Sequence, residues 1–250
     1  MAGHSKWAQI KRQKAANDKA RGRVFSKLGR EIAVAARQGG GDPEFNPRLR
    51  TAVANAKAEN MPAANIERAI KRGTGDLPGL SFEETTYEGY GPGGVAILLE
   101  CLTDNTNRTV AEIRHLMGKL GGNLGQTGSV SWMFERKGRI VLDASRYNED
   151  TAMEVALTAG AEDMRTEDGF HILTTAAGEF HAVQDTLRAR GIEWEEAELA
   201  LIPTTTMQIE GHEAERLISL ISALEEHDDV IRLYANFEMD DEAFAALETR

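Results

Sequence analysis

The run Arg139-Ile140-Val141-Leu142 opens a block that closes at Glu198-Leu199-Ala200-Leu201 and reads strand, helix, strand, strand, helix, strand. Its strand-like segments are Arg139 to Leu142, Ala161 to Arg165, Phe170 to Thr174 and Ile192 to Leu201. Its helical segments, Glu149 to Leu157 and Glu179 to Arg190, carry apolar residues at helical spacing. That order is the split βαβ pattern of a ferredoxin-like sandwich, in which two helices cover one face of an antiparallel sheet. Outside the block, Val95 to Leu102, Arg108 to Leu120, Ser129 to Phe134, Thr205 to Ile209, Glu213 to Leu224 and Val230 to Phe237 give the same order again. A further strand-like segment, Phe82 to Glu88, precedes them. The economical reading is one α/β domain inserted into another: residues 136–203 inside a discontinuous unit of residues 76–135 and 204–250. Arg136-Lys137-Gly138 and Pro203 lie near the two crossings.

Residues 1–75 have a different character. Only helical periodicity is present, so the expected fold class is α+β, a helical N-terminal domain followed by two ferredoxin-like α/β domains. One amphipathic helix is expected from about Asp18 to Gln38, stopped by Gly39-Gly40-Gly41. On a wheel of about 100° per residue, Val24, Phe25, Leu28, Ile32, Ala35 and Ala36 share one face, and Lys19, Arg23, Lys27, Arg30 and Arg37 lie opposite. Asn46-Pro47 supplies an N-cap and first-turn proline for a second helix, and Pro62 to Arg72 forms a third that packs Ile66, Ala69 and Ile70.

Charge divides along the same boundary. Residues 1–75 hold 16 Lys and Arg against 6 Asp and Glu, a net of +10, whereas the other 175 residues hold 13 against 34, a net of −21. A basic segment joined to an acidic body points to polyanion binding, because cations that neutralise phosphates release condensed counterions. The nucleic-acid-binding residues expected from this pattern are Lys6, Lys11, Arg12, Lys14, Lys19, Arg21, Arg23, Lys27, Arg30 and Arg37. Two other readings compete: a solvated helix face, and a basic arm that docks on the acidic body of its own chain. Unpaired sign along the face argues against the first.

The remaining composition narrows the class. With 41% hydrophobic and 28% charged residues, the chain reads as a globular protein. The single cysteine, Cys101, sits in an apolar run, which fits a core position and a reducing cytoplasm. No stretch approaches the roughly 20 apolar residues of a membrane helix, and no secretory h-region is present. Neither the six histidines nor the carboxylate clusters form a catalytic or metal-ligand spacing, so no enzyme, metal or cofactor is expected. The cluster Glu225-Glu226-His227-Asp228-Asp229 reads as solvated rather than cation-binding. Tyr90-Gly91-Pro92-Gly93-Gly94 precedes a strand and reads as a turn, not a nucleotide cradle.

Several motifs carry a resemblance. Met1-Ala2-Gly3-His4-Ser5-Lys6-Trp7, Gly39-Gly40-Gly41-Asp42-Pro43, Asn46-Pro47-Arg48-Leu49-Arg50 and Asn65-Ile66-Glu67-Arg68-Ala69-Ile70-Lys71-Arg72-Gly73-Thr74-Gly75 resemble the YebC/PmpR family. Tyr87 to Gly94, Thr103 to Thr109 and Gly128 to Phe134 are similar to further motifs of that family, in order along the whole chain. The resemblance implies three domains, one interrupted by another, and a bacterial cytoplasmic DNA-binding transcriptional regulator. It also implies an alternative, a ribosome-associated translation factor that binds ribosomal RNA and assists synthesis of proline-rich proteins. A third reading is an interaction module whose basic arm meets an acidic protein. Five long basic side chains on one face suit backbone contact better than base reading. The acidic α/β domains leave room for a protein partner or a ligand, and their residues do not choose between these.

Overall fold

Helix α1 spans Asp18–Gly39 in the computed structural model, which describes residues 18–79, 81–167 and 169–239. Gly40 follows in the left-handed region at φ 88°, a conformation that ends a helix at little cost only for glycine. Helix α2, Pro47–Ala58, begins at Asn46, whose Oδ1 accepts the Leu49 N–H at 3.0 Å. The same side chain donates through Nδ2 to the carbonyls of Ala35 and Gly40, each at 2.8 Å. One buried amide thus caps α2 and ties it to the end of α1, satisfying groups that both helix termini leave open. Helix α3, Ala63–Thr74, ends on Gly75 at φ 87°. Ile32, Ala35 and Ala36 of α1, Leu49, Val53 and Ala56 of α2, and Ile66 and Ala69 of α3 form the core of this helical domain.

The first sheet contains β1 (Glu83–Tyr90), β2 (Ala96–Thr103), the short β3 (Asn123–Leu124) and β9 (Val230–Ala235), in the order β3-β1-β2-β9. Helices α4 (Thr106–Lys119) and α7 (Gly211–Glu226) cover one face. Strand alternation explains both faces of β2. Val95, Ile97, Leu99 and Cys101 point into the helices with Ile113, Met117, Leu217 and Leu220. Ala96 and Leu98 point the other way, onto Phe134, Ala200 and Tyr234. The Cys101 thiol is buried there, and burial pushes its pKa up to about 12.

The second sheet follows the expected pattern. Strands β4 (Phe134–Asp143), β5 (Asp163–Glu167), β6 (Phe170–Ala176) and β7 (Glu196–Pro203) pair antiparallel in the order β5-β6-β4-β7. Helices α5 (Glu149–Ala159) and α6 (Phe180–Ala189) pack Val155, Phe180, Val183 and Leu187 on Ile140, Leu142 and Leu173. This is the split βαβ order, and the molecule is an α+β protein.

Two expected strands belong elsewhere. Ser129 to Phe134 is a loop closing in a 3-10 turn at Ser131–Met133, and Phe134 instead begins β4. The cause is Glu88, whose buried carboxylate accepts the backbone N–H groups of Gly128, Val130 and Ser131 at 2.8, 2.7 and 2.8 Å. Those donors are thereby unavailable to a sheet. Thr205 to Ile209 supplies only β8 (Met207–Gln208), which pairs in parallel with β10 (Phe237–Glu238) outside the first sheet. The hairpin strand β1 lies between β3 and β2 in that sheet.

Two substitutions test this packing. A Cβ at Gly73 would collide with the Ala33 carbonyl oxygen and lie 2.7 Å from Ala36 Cβ. Gly73→Ala should therefore lower the stability of the helical domain by about 1–3 kcal/mol, although alanine is the better helix former by roughly 1 kcal/mol in an open helix. Thermal denaturation followed by circular dichroism reads the sign, and an upward shift would contradict the close α1–α3 approach. Burial by itself raises the Glu88 pKa, yet the three N–H groups outweigh it and hold the carboxyl below its ordinary value. Glu88→Gln should cost about 1.5–3 kcal/mol at neutral pH. The deficit relative to the parent should shrink as pH falls through the depressed Glu88 value, where the parent carboxyl is itself neutral.

Candidate nucleic-acid interface

The basic face of α1 can be followed residue by residue from Arg23. Of the ten expected residues, Lys6, Lys11, Arg12 and Lys14 lie outside the described residues, as do the side chains of Lys19 and Arg21. The other four, Arg23, Lys27, Arg30 and Arg37, meet acceptors of their own chain. Arg23 Nη1 lies 3.4 Å from Glu226 Oε2. Lys27 Nζ donates to the Glu225 carbonyl at 2.6 Å. Arg30 Nη1 reaches the Asp228 carbonyl and Asp229 Oδ1, both at 2.8 Å, and its guanidinium stands 5.2 Å from the Phe82 ring centroid. Arg37 donates to Ser81 Oγ and the Phe82 carbonyl.

The contacts of Lys27 and Arg30 have a common cause in the C-terminus of α7. Its last carbonyls lack intrahelical partners and sit at the negative end of the helix dipole. Lys27 supplies a cation to one of them, and Arg30 binds the chain just beyond. The arrangement realises the docking reading for this face of α1. Glu31, on the edge of the same face, pairs at 2.8 Å with Arg232 of β9, and Arg232 also approaches Glu100 at 3.5 Å. Arg48 and Gln38 meet Glu84 of β1.

Asp229 stands at the centre of this contact. Oδ1 takes Arg30, while Oδ2 accepts from Arg108 Nη2 at 2.9 Å and from Thr109 Oγ1 at 2.7 Å. Its side chain is only 3% exposed, so the expectation of a solvated cluster at 225–229 fails at this position. Burial acts to raise its pKa, but the hydrogen bonds from Arg108 and Thr109 and the charges of Arg108 and Arg30 hold it below the usual carboxylate range. Glu112 and His227 lie close enough to Asp229 to suggest a ligand trio. The donor set does not suit a cation, because both Asp229 oxygens are committed and two guanidinium groups adjoin them. His227 Nδ1 accepts the Asp229 N–H at 3.1 Å, which places the ring proton on Nε2, 2.9 Å from Glu112 Oε2.

The domain also exposes cations that the expected set omitted. Arg68, Lys71 and Arg72 of α3 and Lys57 of α2 are exposed. Among the described residues, no carboxylate oxygen lies within 4.0 Å of any of the four. Their signal in the sequence was the i, i+3, i+4 spacing of Arg68, Lys71 and Arg72, hidden beside the apolar line of the same helix. A cavity of about 260 Å³ also opens where the three domains meet, between Lys27, Arg232, Glu198 and the edges of β7 and β9. No sequence pattern marked it.

Asp229→Asn should leave Arg30 and Arg108 facing a neutral group and destabilise the protein by about 3–5 kcal/mol at pH 7, the range for a broken buried pair. The native carboxylate contributes above its unfolded pKa of roughly 3.9 and loses that contribution as pH falls through the lower folded value. Melting curves of the two proteins should therefore converge as pH falls through that lowered value. A constant gap would show that charge is not what Asp229 supplies.

Comparison with known proteins agrees with this architecture. The model of the TACO1/YebC N-terminal domain matches residues 5–76, and that of the TACO1/YebC second and third domain matches residues 82–237. A "Probable transcriptional regulatory protein" of Persephonella marina is 57% identical over 241 residues, covering 96% of each chain. A relative of the same designation from Desulforapulum autotrophicum is 54% identical over 248 residues, 99% of this chain and 100% of its own. The crystal structure of a conserved hypothetical protein from Aquifex aeolicus superposes with a TM-score of 0.83 at 50% identity, over 90% of this chain and 93% of that one. The chain belongs to the TACO1/YebC family.

Proposed function

We propose that this protein is a DNA-binding transcriptional regulator whose basic N-terminal third grips the sugar-phosphate backbone. The observation that carries the reading is the segregation of charge, +10 within residues 1–75 against −21 in the remainder. Polyphosphate is attracted to one end of such a molecule and repelled by the rest. The designation of its relatives as probable transcriptional regulatory proteins supports DNA as the target. Lys6, Lys11, Arg12, Lys14, Lys19 and Arg21 extend the cationic segment N-terminally. Long, flexible cations on helix surfaces suit phosphate contact with weak sequence selectivity. Among the described residues no helix is long and apolar enough to cross a membrane, which is consistent with this role.

Fluorescence anisotropy with a random-sequence duplex between 50 and 200 mM salt tests the reading. Binding should weaken steeply, with a log–log slope of about −3 or steeper, since each neutralised phosphate contributes roughly 0.9. Absence of duplex binding at 50 mM salt would overturn it. Crosslinking in cells with sequencing of the bound nucleic acid should recover promoter DNA, and recovery of ribosomal RNA in its place would refute the transcriptional assignment.

A further inference from the structure

We propose that the nucleic-acid backbone is held by the outer face of α3, through Arg68, Lys71 and Arg72, with the exposed Lys57 of α2 adding to the positive charge of the domain. The basic face of α1, by contrast, acts as an internal clamp on the acidic body. The proposal rests on the nucleic-acid reading above and names the surface that performs it.

The two faces differ in what already neutralises them. Arg23, Lys27 and Arg30 are held by Glu226, the Glu225 and Asp228 carbonyls, and Asp229. A phosphate reaching Arg30 would have to displace a carboxylate that Arg108 and Thr109 also fix in place. The α3 cations have no such competitor among the described residues, where Glu67 and Asp76, the acids nearest in sequence, make no ion pair with them. At about 100° per residue, Arg68, Lys71 and Arg72 fall within about 100° of arc, opposite the buried Ile66 and Ala69. A rigid helix therefore presents three cations in one direction.

A purely structural reading is that Lys71 and Arg72 stabilise the C-terminal turn of α3 through its dipole. The same reading covers Lys57, in the last turn of α2, but leaves Arg68, in the middle of its helix, without a purpose. Charge complementarity names the occupant instead: a row of phosphates, which needs several unpaired cations and no pocket. The docked acidic body lies against α1, so this face meets a duplex without any rearrangement of domains.

The test compares three full-length proteins on the same duplex over a salt series. Arg68→Gln/Lys71→Gln/Arg72→Gln should reduce the log–log slope by about 2 to 3 and weaken binding roughly 100-fold at 0.1 M salt. Arg23→Gln/Lys27→Gln should keep the parent slope while melting at a lower temperature. The charge-retaining Arg68→Lys/Arg72→Lys should bind like the parent, which separates loss of charge from loss of fold. The proposal is overturned if the triple variant keeps the parent slope, or if the Arg23/Lys27 variant loses it, because the clamp face would then have to open to bind. Failure of the parent protein to bind duplex DNA is read before any variant is compared, and it refutes the functional reading rather than the choice of face.

Discussion

A buried carboxylate at Asp229 holds the helical domain to the first α/β sheet, and it does so through Arg30 of α1. Arg30 comes from α1, Arg108 and Thr109 from α4, and the aspartate follows the end of α7. Three elements distant in sequence therefore share one anion. Desolvating that anion is costly, and the cost is offset because both of its oxygens accept from charged or hydroxyl donors. Once Asp229 is fixed, Lys27 falls on the open carbonyl end of α7 and Arg23 on Glu226, completing a contact in which cations meet carbonyls as often as carboxylates.

A second polar junction lies on the back of the same sheet and behaves differently. Burial raises the pKa of Glu31 against the pull of Arg232 and Arg48, and burial with the neighbouring Glu196 raises that of Glu198. Ionised, these carboxyls oppose the folded arrangement at neutral pH, and acidification relieves them. Asp229 and Glu88 are shifted the other way and lose their contribution at low pH. The apolar contact of Ala96, Leu98, Phe134, Ala200 and Tyr234 joins the two sheets without any such dependence. The two fastenings of the helical domain, Asp229 with Arg30 and Glu31 with Arg232, therefore respond to acid in opposite directions.

Local chemistry was well legible in the sequence where one element decides its own fate. Asn46-Pro47 fixed the start of α2, Gly40 lay in the glycine run expected to stop α1, and the alternation in β4, β6 and β7 produced the inserted sheet, whereas α3 runs past its expected end at Arg72, through Gly73, and stops on Gly75. The strand expected at 129–134 was lost to Glu88, a residue forty positions away whose carboxylate takes the strand's hydrogen-bond donors. The fate of Thr205 to Ile209 turned on competition, since β1 reaches the centre of the sheet through a tight hairpin with β2 at a smaller entropic cost of loop closure. On charge, the sequence disclosed the sign of each region and not its pairing. Arg30 and Arg68 look alike in a helical wheel, and only the fold shows that one is buried against Asp229 while the other is exposed.

That distinction bears on how a molecule of this charge remains one folded body. A helical domain with net +10 and a remainder with net −21 attract each other, and unrestrained attraction would cover every cation the domain carries. The docked contact is limited in extent: α1 lies against the end of α7 and the edge of β1, while Arg68, Lys71 and Arg72 of α3 stay exposed. Segregating the cations onto two helix faces therefore lets the same composition serve cohesion on one and leave positive charge exposed on the other. A single cationic stripe would have to choose between them.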